Sequence, residues 1–257
     1  MTLIIDFDVL EKYLLVSLKG SDHPLLSIPA EKLLHPETMD VVLEKGKTAF
    51  SAYDLSLPAS LIGNALFGLC GALQWVMAQH NQWIDFPLKN LIFQMISLNG
   101  YLYGAFQIKQ LVLRSIPTDS HAREEFIRSQ LSAFYEQEIK PVVQLAAERA
   151  GVRPELIWNQ YGARMVYLRD FLMEIEPDEQ VRQSFLRDYD LLKSLPADLF
   201  GKRKNPFICR PRYIDNPQNP GKPLLLRSSC CMYYNRKGGV KCYNCPRLTP
   251  EQRMRMQ

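Results

Sequence analysis

Hydrophobic and polar positions alternate with several different periods along the chain. Short helical patterns occupy residues 6–17 and 37–50. Residues 55–84 then contain no Asp, Glu, Lys or Arg. The centre of that run, residues 61–77, is long enough to raise the question of a membrane span. Asn64, Gln74, Gln79, His80 and Asn81 interrupt or follow it, and no basic cluster flanks it. A buried core helix is therefore expected.

The pattern next turns strand-like. Residues 91–96 and 101–108 are rich in aromatic and branched side chains and flank Asn99-Gly100. Asn-Gly supplies the two positive φ angles of a type I′ turn, so a β-hairpin is predicted over 91–108.

Helical periodicity returns at Ser120, a candidate N-cap followed by Glu124 and Glu125. Ile127, Leu131, Phe134, Ile139, Val142 and Ala146 fall near one face. Pro141 is expected to kink or restart this helix, and Gly151 to stop it. Pro154 suits the first turn of a helix over 156–175. Another is expected over 178–194, ending before Pro196. From Gly201 onward the composition shifts, with five prolines between Pro206 and Pro223. In that stretch Phe207-Ile208-Cys209 and Leu224-Leu225-Leu226 read as short strands. The expected class is α+β, mostly helical, with a central hairpin or small sheet. A main domain over 1–200 would carry a short segment over 201–257.

Charge sharpens that boundary. The chain of 257 residues has a net charge of +4. Residues 202–257 hold thirteen Lys/Arg against Asp215 and Glu251, a net +11, which leaves −7 on residues 1–201. A basic segment on an acidic body suits an anionic ligand, an acidic protein or a membrane surface. Nucleic acid is not expected, because neither RNA-binding aromatic motifs nor a basic recognition helix is present. No Gly-x₄-Gly-Lys-Ser/Thr loop points to a nucleotide. The first residues are acidic and no small-residue cleavage site follows, so a cytoplasmic address is expected. Thiols there stay reduced, and clustered cysteines read as metal or redox chemistry.

Four of the six cysteines lie close together, as Cys230-Cys231-x₁₀-Cys242-x₂-Cys245. A structural zinc site usually offers two Cys-x₂-Cys knuckles, and only one is present. Adjacent residues in extended chain point their side chains apart, so a vicinal pair suits one small ion poorly unless the backbone turns. A two-iron cluster offers a wider target. The usual ferredoxin spacings are absent and all four histidines lie far upstream. Spacing alone leaves zinc and iron–sulfur open. Cys70 and Cys209 are read as buried.

The residues Leu226-Arg227-Ser228-Ser229-Cys230-Cys231-Met232-Tyr233-Tyr234, with Cys242-Tyr243-Asn244-Cys245-Pro246, resemble the C-terminal signature of the FhuF family of ferric-siderophore reductases. Asn205-Pro206 and Leu156-Ile157-Trp158-Asn159 are also similar to that family. The likeness covers about the last hundred residues, and the first 120 only in layout. It implies a [2Fe–2S] cluster on Cys230, Cys231, Cys242 and Cys245. It further implies one-electron reduction of siderophore-bound iron(III), in the cytoplasm or at the inner membrane face. The electron donor would be a ferredoxin, a flavodoxin or an NAD(P)H-dependent reductase.

Under that resemblance Arg227, Lys241 and Arg247 would offset the cluster's negative charge. Lys202, Arg203, Lys204, Arg210 and Arg212 would steer an anionic ferric siderophore. Asn159 and Arg164, on one helix with Trp158 and Tyr161, would line the substrate cleft. Tyr233, Tyr234 and Tyr243 would pack around the ligands and shield them. Iron(II) binds oxygen donors less tightly than iron(III), so one electron loosens the complex and no acid–base residue is required.

Overall fold

The computed structural model describes residue 5 and residues 7–256. The predicted helix over 6–17 begins outside them, at residue 6. Within them it is shorter than expected: α1 (Phe7–Val9) runs into a π-turn at Leu10–Leu14. Leu15 is left-handed, with φ 58°, and the chain turns into strand β1 (Val16–Ser17). Strand β2 (Leu26–Pro29) leads to helix α2 (Pro36–Phe50), which starts with proline at its first turn.

Helix α3 (Ser56–His80) is the charge-free run. It is apolar enough to cross a bilayer, with mean hydropathy 1.5 over its best window, yet 94% of that window is buried inside the protein. It is apolar all round because its neighbours surround it: α2, the sheet, and helices from the second half of the chain. Gly68 lets the N-terminal turn approach, since a Cβ there would stand 2.2 Å from the Leu14 carbonyl oxygen.

Strand β3 (Gln82–Ile84) is followed by the hairpin β4 (Leu91–Leu98) and β5 (Tyr101–Ile108). Its two-residue loop has φ 51° at Asn99 and 79° at Gly100, the expected pair of positive angles. The register pairs Phe93 with Phe106 and Ile96 with Tyr103. The sheet order is β1-β5-β4-β2, with β1 parallel to β5 and the other pairs antiparallel. Strand β6 (Leu113–Ser115) pairs with β3.

Asp119, not Ser120, caps helix α4 (Ser120–Ala133), accepting from the Ala122 N–H. A π-turn at Phe134–Ile139 follows, and α5 (Lys140–Arg149) restarts with Pro141 in its first turn. The proline has no N–H for the ladder, and the widened turn absorbs the gap. Gly151, at φ 65°, lies just past the stop.

The predicted helix over 156–175 is two helices. α6 (Glu155–Trp158) and α7 (Tyr161–Ile175) are separated at Asn159-Gln160. The Ser228 hydroxyl sits in the ladder there: it accepts from the Ala163 N–H and donates to the Asn159 carbonyl, the two groups that would otherwise bond each other. Trp158 and Arg164 are thus on different helices.

Helix α8 (Glu179–Ser194) is capped by Asp178. A buried bidentate ion pair, Arg123 with Asp188, ties it to α4. Phe207-Ile208-Cys209 is not a strand. Asn205 holds it as a turn, accepting from the Phe207 N–H while its amide donates to the Leu192 and Leu195 carbonyls at the end of α8. Phe207 and Phe200 pack against Tyr135, Trp158 and Tyr161 in the main core. The strands of the last segment are β7 (Tyr213–Ile214) and β8 (Leu224–Leu225), paired antiparallel, and α9 (Pro250–Met254) ends the described chain.

Candidate metal centre

Residues 226–248 contain no helix or strand, so polar bonds to the body hold them in place. Ser228 is bonded into the α6–α7 break. On the far side of the loop, Asn235 donates to Asp54 and to the Ser56 hydroxyl. Its carbonyl accepts from the Tyr53 N–H, and Ala52 forms a β-bridge with Arg236. The loop between the two cysteine pairs is therefore fastened to the α2–α3 connection.

The knuckle is held from inside the segment. The Cys245 N–H bonds the Cys242 carbonyl, and the Arg227 N–H bonds the Asn244 carbonyl. Asn244 in turn donates to the Leu225 carbonyl. From α9, Arg253 reaches back to the carbonyls of Tyr243 and Cys245. Met232, at φ 60°, turns the chain just after the vicinal pair.

The four cysteines line one cavity of about 630 Å³. Cys230 and Cys245 are buried, 6% and 2% exposed, with their sulfurs 3.9 Å apart. Cys231 and Cys242 are half-buried. Burial pushes the Cys230 thiol up to about 11 and raises that of Cys242. Arg227 opposes the rise at Cys242, whose next electrostatic neighbour is Cys231, ahead of Cys245. Thiols held protonated in this way release protons when a metal binds.

The opposite wall comes from distant parts of the chain: Phe50 of α2, Asn64 and Phe67 of α3, Tyr101 and Tyr103 of the hairpin, and Tyr167 and Phe171 of α7. Arg164, Arg227 and Lys241 supply positive charge, and no Asp or Glu lines the cavity among the described residues. Arg164 has no carboxylate partner there; its guanidinium lies over the Phe67 ring at 5.7 Å. Burial first, and then Arg227, push its pKa down to about 10, while the nearby Cys231 works the other way. Tyr233 and Tyr234 line the cavity beside the cysteines, each under a cation: Arg236 over Tyr233 at 4.2 Å and Lys241 over Tyr234 at 5.8 Å.

Of the predicted ligand-binding residues, only Arg164 and Arg227 meet at this cavity. Lys202 donates to the Asn159 side chain, so both are engaged away from it. Arg203, Lys204, Arg210 and Arg212 are exposed elsewhere on the surface. Trp158 and Cys70 are fully buried in the core; Cys209 is half-buried against Gly162 of α7. The hairpin tyrosines and Tyr167 escaped the sequence analysis. Their one signal is exposure: Tyr101, Tyr103 and Tyr167 are large aromatics left uncovered at 52%, 39% and 64%.

Two thiolates on one metal with bonds of about 2.3 Å stand roughly 3.7 Å apart. The Cys230–Cys245 separation of 3.9 Å fits two ligands of one metal.

An all-cysteine set on a cavity wall, facing cations and aromatic rings, defines a thiolate metal site. Residues 227–247 match the family model described as the FhuF 2Fe-2S C-terminal domain, and all four cysteines lie within the match. No curated protein matches the chain. The C-terminal segment is thus FhuF-like, and the description of the matching model indicates a 2Fe-2S cluster.

Proposed function

We propose that this protein is a ferric-siderophore reductase in which Cys230, Cys231, Cys242 and Cys245 hold a [2Fe–2S] cluster at the wall of a substrate cavity. One observation carries the reading: four thiols of an FhuF-like segment open onto a cavity large enough for a chelate. When bound, the cluster supplies electrons one at a time at low potential.

The chain's own residues set the conditions for that chemistry. Arg164 and Arg227, with no carboxylate beside them, offset negative charge on the cavity side of the thiolates. Tyr101, Tyr103, Tyr167 and Tyr233 give the cavity an aromatic lining on which a chelate can pack. The substrate is iron(III) held by oxygen donors, which release it more readily once it is iron(II). Exposed Arg203, Lys204, Arg210 and Arg212 steer an anionic chelate, or an acidic donor protein such as a ferredoxin or flavodoxin, toward this face. In this reading the reaction takes place in the cytoplasm or at the inner membrane face.

The test is anaerobic purification and EPR of the dithionite-reduced protein, followed by reoxidation with a panel of ferric chelates. The expected result is a red-brown protein containing iron and acid-labile sulfide, with an EPR signal that one or more chelates abolish. A cluster that no ferric chelate reoxidises would remove the reductase and leave the iron–sulfur protein.

A further inference from the structure

The four thiols are not equivalent, and their inequality cuts across the sequence motif. By sequence they fall into a vicinal pair and a knuckle. In space two sulfurs from different motifs stand together: Cys230 and Cys245, 3.9 Å apart and both buried. All four line the cavity, but the remaining two, Cys231 and Cys242, are only half-buried, Cys231 beside Arg164 and Cys242 beside Arg227. The backbone accounts for this. Side chains of adjacent residues diverge, so as Cys230 points inward, Cys231 is delivered to the cavity. Met232 then takes its left-handed turn and donates its N–H to the Cys230 sulfur at 3.4 Å, which holds that thiol inward. Across from it the knuckle turn, closed by the Cys245 N–H to the Cys242 carbonyl, puts Cys245 inside.

We propose that the thiols engage a two-metal centre as crossed pairs, Cys230 with Cys245 on the buried side and Cys231 with Cys242 on the cavity side. This rests on the cluster reading given above and adds what that reading leaves open, namely which ligands share a metal. Pairing within each motif would put Cys230 and Cys231 on one metal, against their divergence, and would split the two sulfurs that already stand at the separation expected for a shared tetrahedral metal. The crossed pairs are electrostatically unequal. The outer pair faces two arginines, and the inner pair is enclosed by protein.

The experiment is a set of four single variants, Cys230→Ser, Cys231→Ser, Cys242→Ser and Cys245→Ser, prepared anaerobically with ⁵⁷Fe and examined by Mössbauer spectroscopy in the reduced state. An oxygen ligand shifts the doublet of the iron it binds. Crossed pairing predicts that Cys230→Ser and Cys245→Ser shift one doublet, and that Cys231→Ser and Cys242→Ser shift the other. A partition that groups 230 with 231, or 230 with 242, overturns it. Where a variant fails to load, the cluster of the full wild-type chain is destroyed in place by rapid oxidation, and the disulfides formed are mapped by mass spectrometry. Cys230–Cys245 and Cys231–Cys242 bridges are expected, and a dominant Cys242–Cys245 bridge overturns the pairing. Wild-type protein without iron or sulfide would defeat the cluster reading and the pairing with it, whereas a loaded protein with the wrong partition would defeat the pairing alone.

Discussion

Arg164 and Ser228 illustrate how single residues set this site. Arg164 is half-buried, lies over Phe67, and has no carboxylate partner among the described residues, so its charge acts on whatever occupies the cavity. Replacing it with Gln should lower the reduction potential by roughly 30–60 mV, the one-electron equivalent of about 1 kcal/mol of charge interaction. Arg164→Lys should restore most of the loss, and spectroelectrochemistry reads both. Ser228 replaces a helix hydrogen bond with two of its own, at 3.2 and 2.6 Å. Ser228→Ala should cost about 1–2 kcal/mol in urea unfolding and make the metal easier to extract with chelator. The sequence resemblance picked out Asn205, but its role is in the fold: its amide and carbonyl close the end of α8 and the following turn.

The elements were legible to different degrees. The hairpin's turn and outer ends could be read from the sequence, because Asn-Gly dictates a local geometry that needs no partner; the first arm runs two residues further than read, to Leu98. Helix α3 was legible as buried, because its polar interruptions and missing basic flanks argue against lipid. The break between α6 and α7 was not legible, because the hydroxyl that causes it lies more than sixty residues away. Nor was the turn at 207–209, which looks like a strand by composition and is set by Asn205. Close packing of α3 gives an element-level prediction. Gly68→Ala would force a methyl against the Leu14 carbonyl and push the N-terminal turn off the helix. A loss of about 1–3 kcal/mol is expected in denaturant unfolding.

Across the whole molecule, one large core carries a segment with almost none of its own. Only Leu225, Met232, Tyr233 and a few neighbours of residues 224–248 pack on apolar surface; polar bonds do the rest. Removing the metal should therefore loosen residues 227–247 and leave the body folded. Limited proteolysis of chelator-treated protein should cut within that segment, near Lys237 or Lys241, and leave a stable fragment that ends at the cut and keeps Phe207 in the core. The charge asymmetry acts at this scale too. Arg210→Gln with Arg212→Gln should slow turnover of anionic ferric chelates several-fold at low ionic strength, and the difference should fade as salt screens it. Equal rates at low salt would remove the steering role.

What the sequence by itself determined was the set of local commitments: the charge-free helix, the hairpin with its Asn-Gly turn, the proline restarts, and four cysteines at one spacing. Each follows from short-range sterics or from which residues avoid water. Tertiary structure alone decided which sulfurs stand together and which cations face them, with the hairpin tyrosines closing the far wall. Those outcomes depend on where α3, α7 and the hairpin bring residues far apart in the chain, and side-chain direction in an irregular segment is set by the body it is fastened to.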